Sequence, residues 1–146
     1  MFPFIAKAKV LYVHEPTVYE MLFDLGFEIT FKRTVFLKGL ESFPTTKCTD
    51  YNERERAFRA KRCAIKVLKN RWVLVETYKD RSPRPHQWPS TVRVVGESHL
   101  PGVNETFLGD QYVDMCRYLK ELEKFDFDES RVDLTSPGYE DPKESD

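Results

Sequence analysis

Residues Val10 to Pro44 read VLYVHEPTVYEMLFDLGFEITFKRTVFLKGLESFP, and three apolar alternations separated by two reversals lie within them. Alternation of apolar and polar residues at a period of two is the mark of a strand with one buried face, and clusters of Gly, Pro, Asp and Thr between such runs are the mark of turns. The stretch therefore predicts a three-stranded meander: a first strand from about Ile5 to Val13, a second from Val18 to Phe23 and a third from Phe27 to Leu37. The first reversal is HEPT, His14 to Thr17, where Pro16 sets its own backbone dihedral. The second is DLGF, Asp24 to Phe27, where Gly26 supplies the permissive conformation.

Outward from the meander, Pro3 cannot donate to a ladder, so residues 1–4 are a lead-in. The loop from Glu41 to Asp50 ends in Thr49 and Asp50, either of which can cap a helix. That helix is predicted from Tyr51 to Leu68, with Asn70 as its stop and Phe58, Ala60, Cys63, Ala64, Ile65, Val67 and Leu68 supplying an apolar stripe. Strand four is expected over RWVLVETYKD, Arg71 to Asp80, and strand five over TVRVV, Thr91 to Val95, with the proline-punctuated RSPRPHQWPS read as a loop. Asn104 begins a short helical turn in GVNETFL, and a final helix runs from about Asp110 to Lys124. Beyond it the composition turns acidic and aperiodic, predicting a mostly irregular tail over 126–146 after a folded domain over 1–125. These local patterns support an α+β domain and no finer class.

Composition narrows the function classes. A chain of 146 residues with 40% hydrophobic content holds one core of modest size without metal or disulfide staples. No apolar run approaches the roughly 18 residues of a membrane helix, and MFPFIAKAKV lacks the apolar core of a secretory signal, so no membrane role and a cytoplasmic or particle-bound setting are expected. Cys48, Cys63 and Cys116 lack metal-ligand or disulfide spacing and read as reduced thiols. The histidines, His14, His86 and His99, show no ligand spacing either. Net charge is -1 but unevenly spread. Eight basic residues lie between Arg54 and Arg71, and eight acidic ones between Asp126 and Asp146. This describes either a basic binding face with an acidic tail competing for it, or a solvated helix and a solubilising tail.

The pieces KVLYV, HEPT, DLGF and FLKGLESFP, in that order, resemble the opening meander of the staphylococcal nuclease family, particularly its short phage-encoded members. The resemblance extends from about Lys9 to Lys124, through the helix, RWVLVETYKD and the VNETFL segment. It implies a five-stranded OB-type Greek-key β-barrel with two or three helices. In that family carboxylates from the first turn and from beyond the third strand hold calcium, arginines bind the scissile phosphate, and a glutamate is the proposed general base.

Carried over residue by residue, the resemblance puts Pro16 at the first metal aspartate, Phe36 at the phosphate arginine, Glu41 at the second metal aspartate, Pro44 or Thr45 at the base, and Ser90 at the second arginine. Metal-assisted phosphodiester hydrolysis needs hard oxygen ligands, cations on the phosphate and a way to activate water. Removing one such donor commonly costs about two to three decades in rate, so the combined losses predict a catalytically inactive barrel. Glu15, Asp24 and Glu41 remain as candidate metal ligands should they converge on one end of the barrel; calcium is expected only if hydrolysis is retained, and otherwise no cofactor.

A barrel without its chemistry is read as a binding module, possessing either a protein partner, in a phage setting a virion component or host factor, or single-stranded DNA or RNA. OB-type barrels bind single strands through basic grooves with aromatic platforms. Tyr12, Tyr19, Phe31, Phe36, Trp72, Tyr78 and Trp88 are the candidate platforms, and Arg33, Lys38, Arg71, Arg81, Arg84 and Arg93 the candidate cations. Trp88, in its Pro-rich segment, is expected to be exposed and, with Arg81 and Arg84, to have the composition of an interface hot spot. A divergent calcium-dependent nuclease is the remaining alternative.

Overall fold

A computed structural model describes residues 4–40, 43–78, 86–95, 112–132, 134 and 136. The meander is present as β1 (Phe4–Glu15), β2 (Val18–Asp24) and β3 (Thr30–Leu37), all antiparallel. β3 starts three residues later than its alternation suggests. Phe27 and Glu28 both take left-handed backbone conformations, φ 54° and 63°, beside Gly26 at 86°, so the reversal is wider than a tight turn. β4 (Trp72–Thr77) returns antiparallel to β1 and pairs with β5 (Gln87–Val95).

The step that closes the barrel is a parallel pairing of β3 with β5, in the register Thr34↔Gln87, Val35↔Trp88, Phe36↔Pro89 and Leu37↔Ser90. The circuit β1-β2-β3-β5-β4 is a closed five-stranded barrel of OB type. β5 contains the expected strand Thr91–Val95, and its first part, Gln87–Ser90, is what the sequence conceals. A proline inside a strand argues against pairing because it lacks an N–H, yet here the ladder uses the carbonyl of Pro89, which accepts from the Tyr78 amide at 2.9 Å and the Thr77 hydroxyl at 3.3 Å. Trp88 is consequently half-buried against Phe23 and Phe31, a correction to the exposed loop position expected for it.

Between β3 and β4 runs α1 (Tyr51–Leu68), with the bounds that periodicity predicts. Asp50 caps it, its carboxylate accepting from the Asn52 amide at 3.1 Å, and Asn70 ends it in a left-handed conformation. Ala57, Ala60, Cys63, Ala64, Val67 and Leu68 form the buried stripe, whereas Phe58 lies on another face and is 39% exposed. The stripe consists mostly of small residues, so the helix packs closely on the barrel. Inside the barrel, Tyr19, Met21 and Phe23 from β2 meet Val10, Val35, Val75 and Val92 from the other strands, all shielded from solvent.

The third helix-bearing region differs from its expected form. Tyr112–Asp114 is a strand, β6, paired with Arg93–Val95, and α2 begins only at Met115. Asp114 caps α2 by accepting from the Cys116 amide at 2.9 Å. The expected helical turn at Asn104 lies outside the described residues. After α2 (Met115–Glu123) the acidic segment folds back along α1. Phe127 is buried, its ring edge-on to Phe43 and its carbonyl accepting from the Cys63 thiol at 3.4 Å. Ser136 donates from its amide to the Lys66 carbonyl at 2.9 Å and from its hydroxyl to the Lys69 carbonyl, satisfying groups at the C-terminal end of α1.

Two kinds of contact hold this segment, and their magnitudes differ. Exposed ion pairs are worth about 0.2–1 kcal/mol each, whereas truncating a buried Phe costs about 3–5 kcal/mol. Phe127→Ala is therefore expected to lower unfolding free energy by roughly 3 kcal/mol or more in urea titration, and Arg59→Ala by about 1 kcal/mol or less. Comparable losses for the two variants would contradict this assignment.

Candidate binding site

Of the candidate positions, Pro16, Phe36 and Ser90 lie at one end of the barrel. The Val18↔Phe36 and Leu37↔Ser90 registers set Thr17, Phe36 and Ser90 side by side, tied by Leu37 N–H to the Thr17 carbonyl at 2.9 Å and Lys38 N–H to the Ser90 carbonyl at 3.0 Å. All are buried, as is Pro16. The Pro16 carbonyl accepts from the Tyr19 hydroxyl at 2.6 Å, and burial drives the Tyr19 phenol far above its ordinary pKa, so it stays a donor. Ser90 donates to the Trp88 carbonyl at 3.2 Å. Pro16, Phe36 and Ser90 are thus hydrophobic or internally bonded groups.

The candidate metal ligands are kept apart. Glu15 closes β1, where both of its oxygens are occupied by Thr46, the amide at 2.8 Å and the hydroxyl at 2.9 Å. Asp24 closes β2 at the opposite end and accepts from the Gly26 amide at 2.9 Å. Seven residues of strand, roughly 20 Å at about 3.3 Å each, separate the two ends of β2, so Glu15 and Asp24 do not converge on one ion. Glu41 lies outside the described residues, and Pro44 is half-buried. Among the described residues no group of three or more His, Cys, Asp or Glu side chains is placed to hold a metal.

The candidate cations are mostly engaged within the fold. Arg33 stands over both Trp88 and Phe31, at 4.9 and 5.3 Å from the ring centres, and those rings stack at 5.7 Å. Arg71 is buried at 6% exposure, which removes it from any surface groove. Lys38 sits over the Tyr78 ring at 4.3 Å. Arg93 pairs with Glu76 at 3.1 Å. Arg81 and Arg84 lie outside the described residues. On α1 the charges form a ladder with the acidic segment: Arg56 with Glu123, Arg59 with Asp126 and Arg62 with Glu129, each step advancing three residues on both sides. These three arginines are therefore paired within their own chain, although the Arg62 side chain stays 56% exposed.

Of the candidate platforms Tyr12, Trp72 and Phe31 remain exposed, and beside Phe31 stands an apolar patch that sequence alone does not single out. The β2–β3 connection presents Leu25, Phe27, Ile29 and Phe31, of which Phe27 is 97% exposed. The turn is internally braced: Leu25 N–H donates to the Ile29 carbonyl and Ile29 N–H to the Gly26 carbonyl, both at 2.9 Å. DLGF is legible as a reversal, but that its aromatic, Phe27, points to solvent depends on the two left-handed residues that widen it. No helix among the described residues is long and apolar enough to cross a membrane.

No family model matches this chain, and no curated protein matches it in sequence.

The polar network at the β4–β5 face has a measurable signature. The Tyr78 hydroxyl donates to Glu76 at 2.7 Å and, with Arg93, holds the Glu76 carboxyl below its ordinary value of 4.5. A carboxyl lowered in the folded state contributes stability that is present above the unfolded value and lost as pH falls through the folded one. Below about pH 4.5 the folded protein is expected to lose this contribution. Tyr78→Phe, which removes the larger cause, is expected to make the acid limb of urea stability against pH shallower; an unchanged limb would contradict the assignment.

Proposed function

We propose that this chain is a non-catalytic binding module of the OB-type barrel class that docks a protein partner through the β2–β3 connection. The observation that carries the reading is Phe27, a large aromatic almost fully exposed at the tip of a hydrogen-bonded turn, flanked by Leu25, Ile29 and Phe31. Leaving such a group in water is unfavourable by roughly 2–3 kcal/mol relative to burying it. Its backbone adds to the cost, since a non-glycine residue in the left-handed region is strained by about 1–2 kcal/mol. Stored strain and exposed aromatic surface at one position are features of interaction sites, where a braced aromatic enters a partner's apolar pocket without losing further conformational freedom.

Support for the non-catalytic half comes from the burial of Pro16, Phe36 and Ser90 at the barrel end, and from the separation of Glu15 and Asp24. In a phage setting, the partner would be a virion component or a host factor. Single-stranded nucleic acid is a second reading, favoured by the Phe31 ring, which is 40% exposed and stacked on Trp88 beside Arg33.

Phe27→Gly separates these readings. Glycine accepts the left-handed backbone, and nothing in the core depends on the ring, so the variant is expected to unfold at the same or higher urea concentration than the parent. Affinity for a purified partner, first captured by the full chain and then measured by calorimetry, is expected to fall by roughly 30-fold, equivalent to about 2 kcal/mol. An unchanged dissociation constant would sink the proposal. Salt-steep binding of a single-stranded oligonucleotide that survives Phe27→Gly would support the nucleic-acid reading instead.

A further inference from the structure

The charge ladder divides the basic residues of α1 into two groups. Arg56, Arg59 and Arg62 pair with the acidic segment, and Lys66 donates to the Glu129 carbonyl at 3.4 Å. Lys61 and Lys69 point elsewhere. Neither ammonium has an ion-pair or hydrogen-bond partner among the described residues. With Ile65 they occupy positions i, i+4 and i+8, one stripe on the helix surface.

That stripe forms one wall of a groove of about 280 Å³, whose other wall is β1. The β1 wall is irregular in a useful way. Its pairing with β2 shifts register between Val10 and Tyr12, so Leu11 and Tyr12 are both exposed in succession where a regular strand would alternate. Bulges of this kind re-aim side chains and recur beside binding sites. The separation of the two walls is fixed by backbone bonds, Val10 N–H to the Arg71 carbonyl at 3.0 Å and Asn70 N–H to the Val10 carbonyl at 3.1 Å. The floor is apolar, from Val10, Val13 and Leu11. Tyr12 is oriented by an edge-on contact with His14, ring centres 4.7 Å apart.

We propose that this groove binds a small amphiphilic anion: a flat or short apolar body against Leu11, Tyr12 and Ile65, with its acidic group on Lys61 or Lys69. The complementarity is specific in sign, since the lining holds two lysines and no carboxylate. The volume is at the small end of ligand sites, suited to a compact molecule rather than a chain. The site stands on different residues from the β2–β3 tip and does not rest on the tip's role.

The test uses the full chain and two fluorescent probes of matched shape, the anionic 8-anilinonaphthalene-1-sulfonate and the neutral N-phenyl-1-naphthylamine. The sulfonate is expected to bind at one site per chain, more tightly than the neutral probe, and to weaken as salt rises. Lys61→Gln and Lys69→Gln are expected to weaken it by roughly three- to tenfold each, the range for charge-assisted contacts near a surface. Leu11→Glu is expected to abolish it, and Phe27→Gly to leave it unchanged. Circular dichroism of the lysine variants should match the parent, since neither ammonium group has a partner among the described residues and neither residue is buried. Equal sulfonate affinity in the Lys61→Gln/Lys69→Gln double variant, or equal affinity of the neutral probe, would overturn the proposal. Loss of binding in Phe27→Gly alone would place the probe at the tip and overturn it as well.

Discussion

The parallel pairing of Thr34–Leu37 with Gln87–Ser90 is the constraint on which the rest of this molecule depends. Without it the sheet is open, with β3 and the Gln87–Ser90 part of β5 as bare edges, and α1 has no closed barrel to seal. Parallel strands need a long crossover, and here α1 and β4 supply it. The same pairing brings Phe36 against Pro89 and Leu37 against Ser90, and all four are buried. Closure of the barrel and burial of these four residues are thus two results of one register.

The second organising contact is between the two halves of the charge distribution. Sequence alone leaves open whether the basic helix is a binding face with an acidic competitor or a solvated surface. In the fold the acidic segment lies against the basic helix. The acidic segment neutralises Arg56, Arg59 and Arg62, while burial of Phe127 beneath Cys63 anchors it. Burial, then the Glu129 carboxylate nearby, push the Cys63 thiol up to about 11, so it is a neutral packing group. Lys61 and Lys69, a third of a turn or so away, are left to face the groove.

Local rules reach far where the determinants are local. The bounds of α1 follow from Asp50, Asn70 and a periodic stripe of small residues, and the meander follows from alternation with Gly26 at its second reversal. They stop where the determinants are distant or contradictory. Pro89 reads as a loop residue because its missing N–H is visible in sequence, whereas the use of its carbonyl by Tyr78 and Thr77 is not. Trp88 followed it into the wrong environment. The ladder joins residues 67 apart, and nothing at Arg59 announces Asp126. Glu15 and Asp24 look close in sequence, but a whole strand lies between them in space. The exposed Phe27 was hidden by the success of its own motif, since DLGF is explained once it is called a turn.

The chain is a closed barrel with a braced, exposed aromatic tip and a groove flanked by Lys61 and Lys69, and the reading proposed for it is binding rather than hydrolysis. The most direct measurement is incubation of the purified chain with single-stranded DNA and RNA, with and without millimolar calcium, reading cleavage and retention in one gel. The expected result is no calcium-dependent cleavage of either strand. Cleavage that chelator abolishes and that Glu15→Ala or Glu41→Ala removes would contradict the central claim and restore a metal-dependent nuclease.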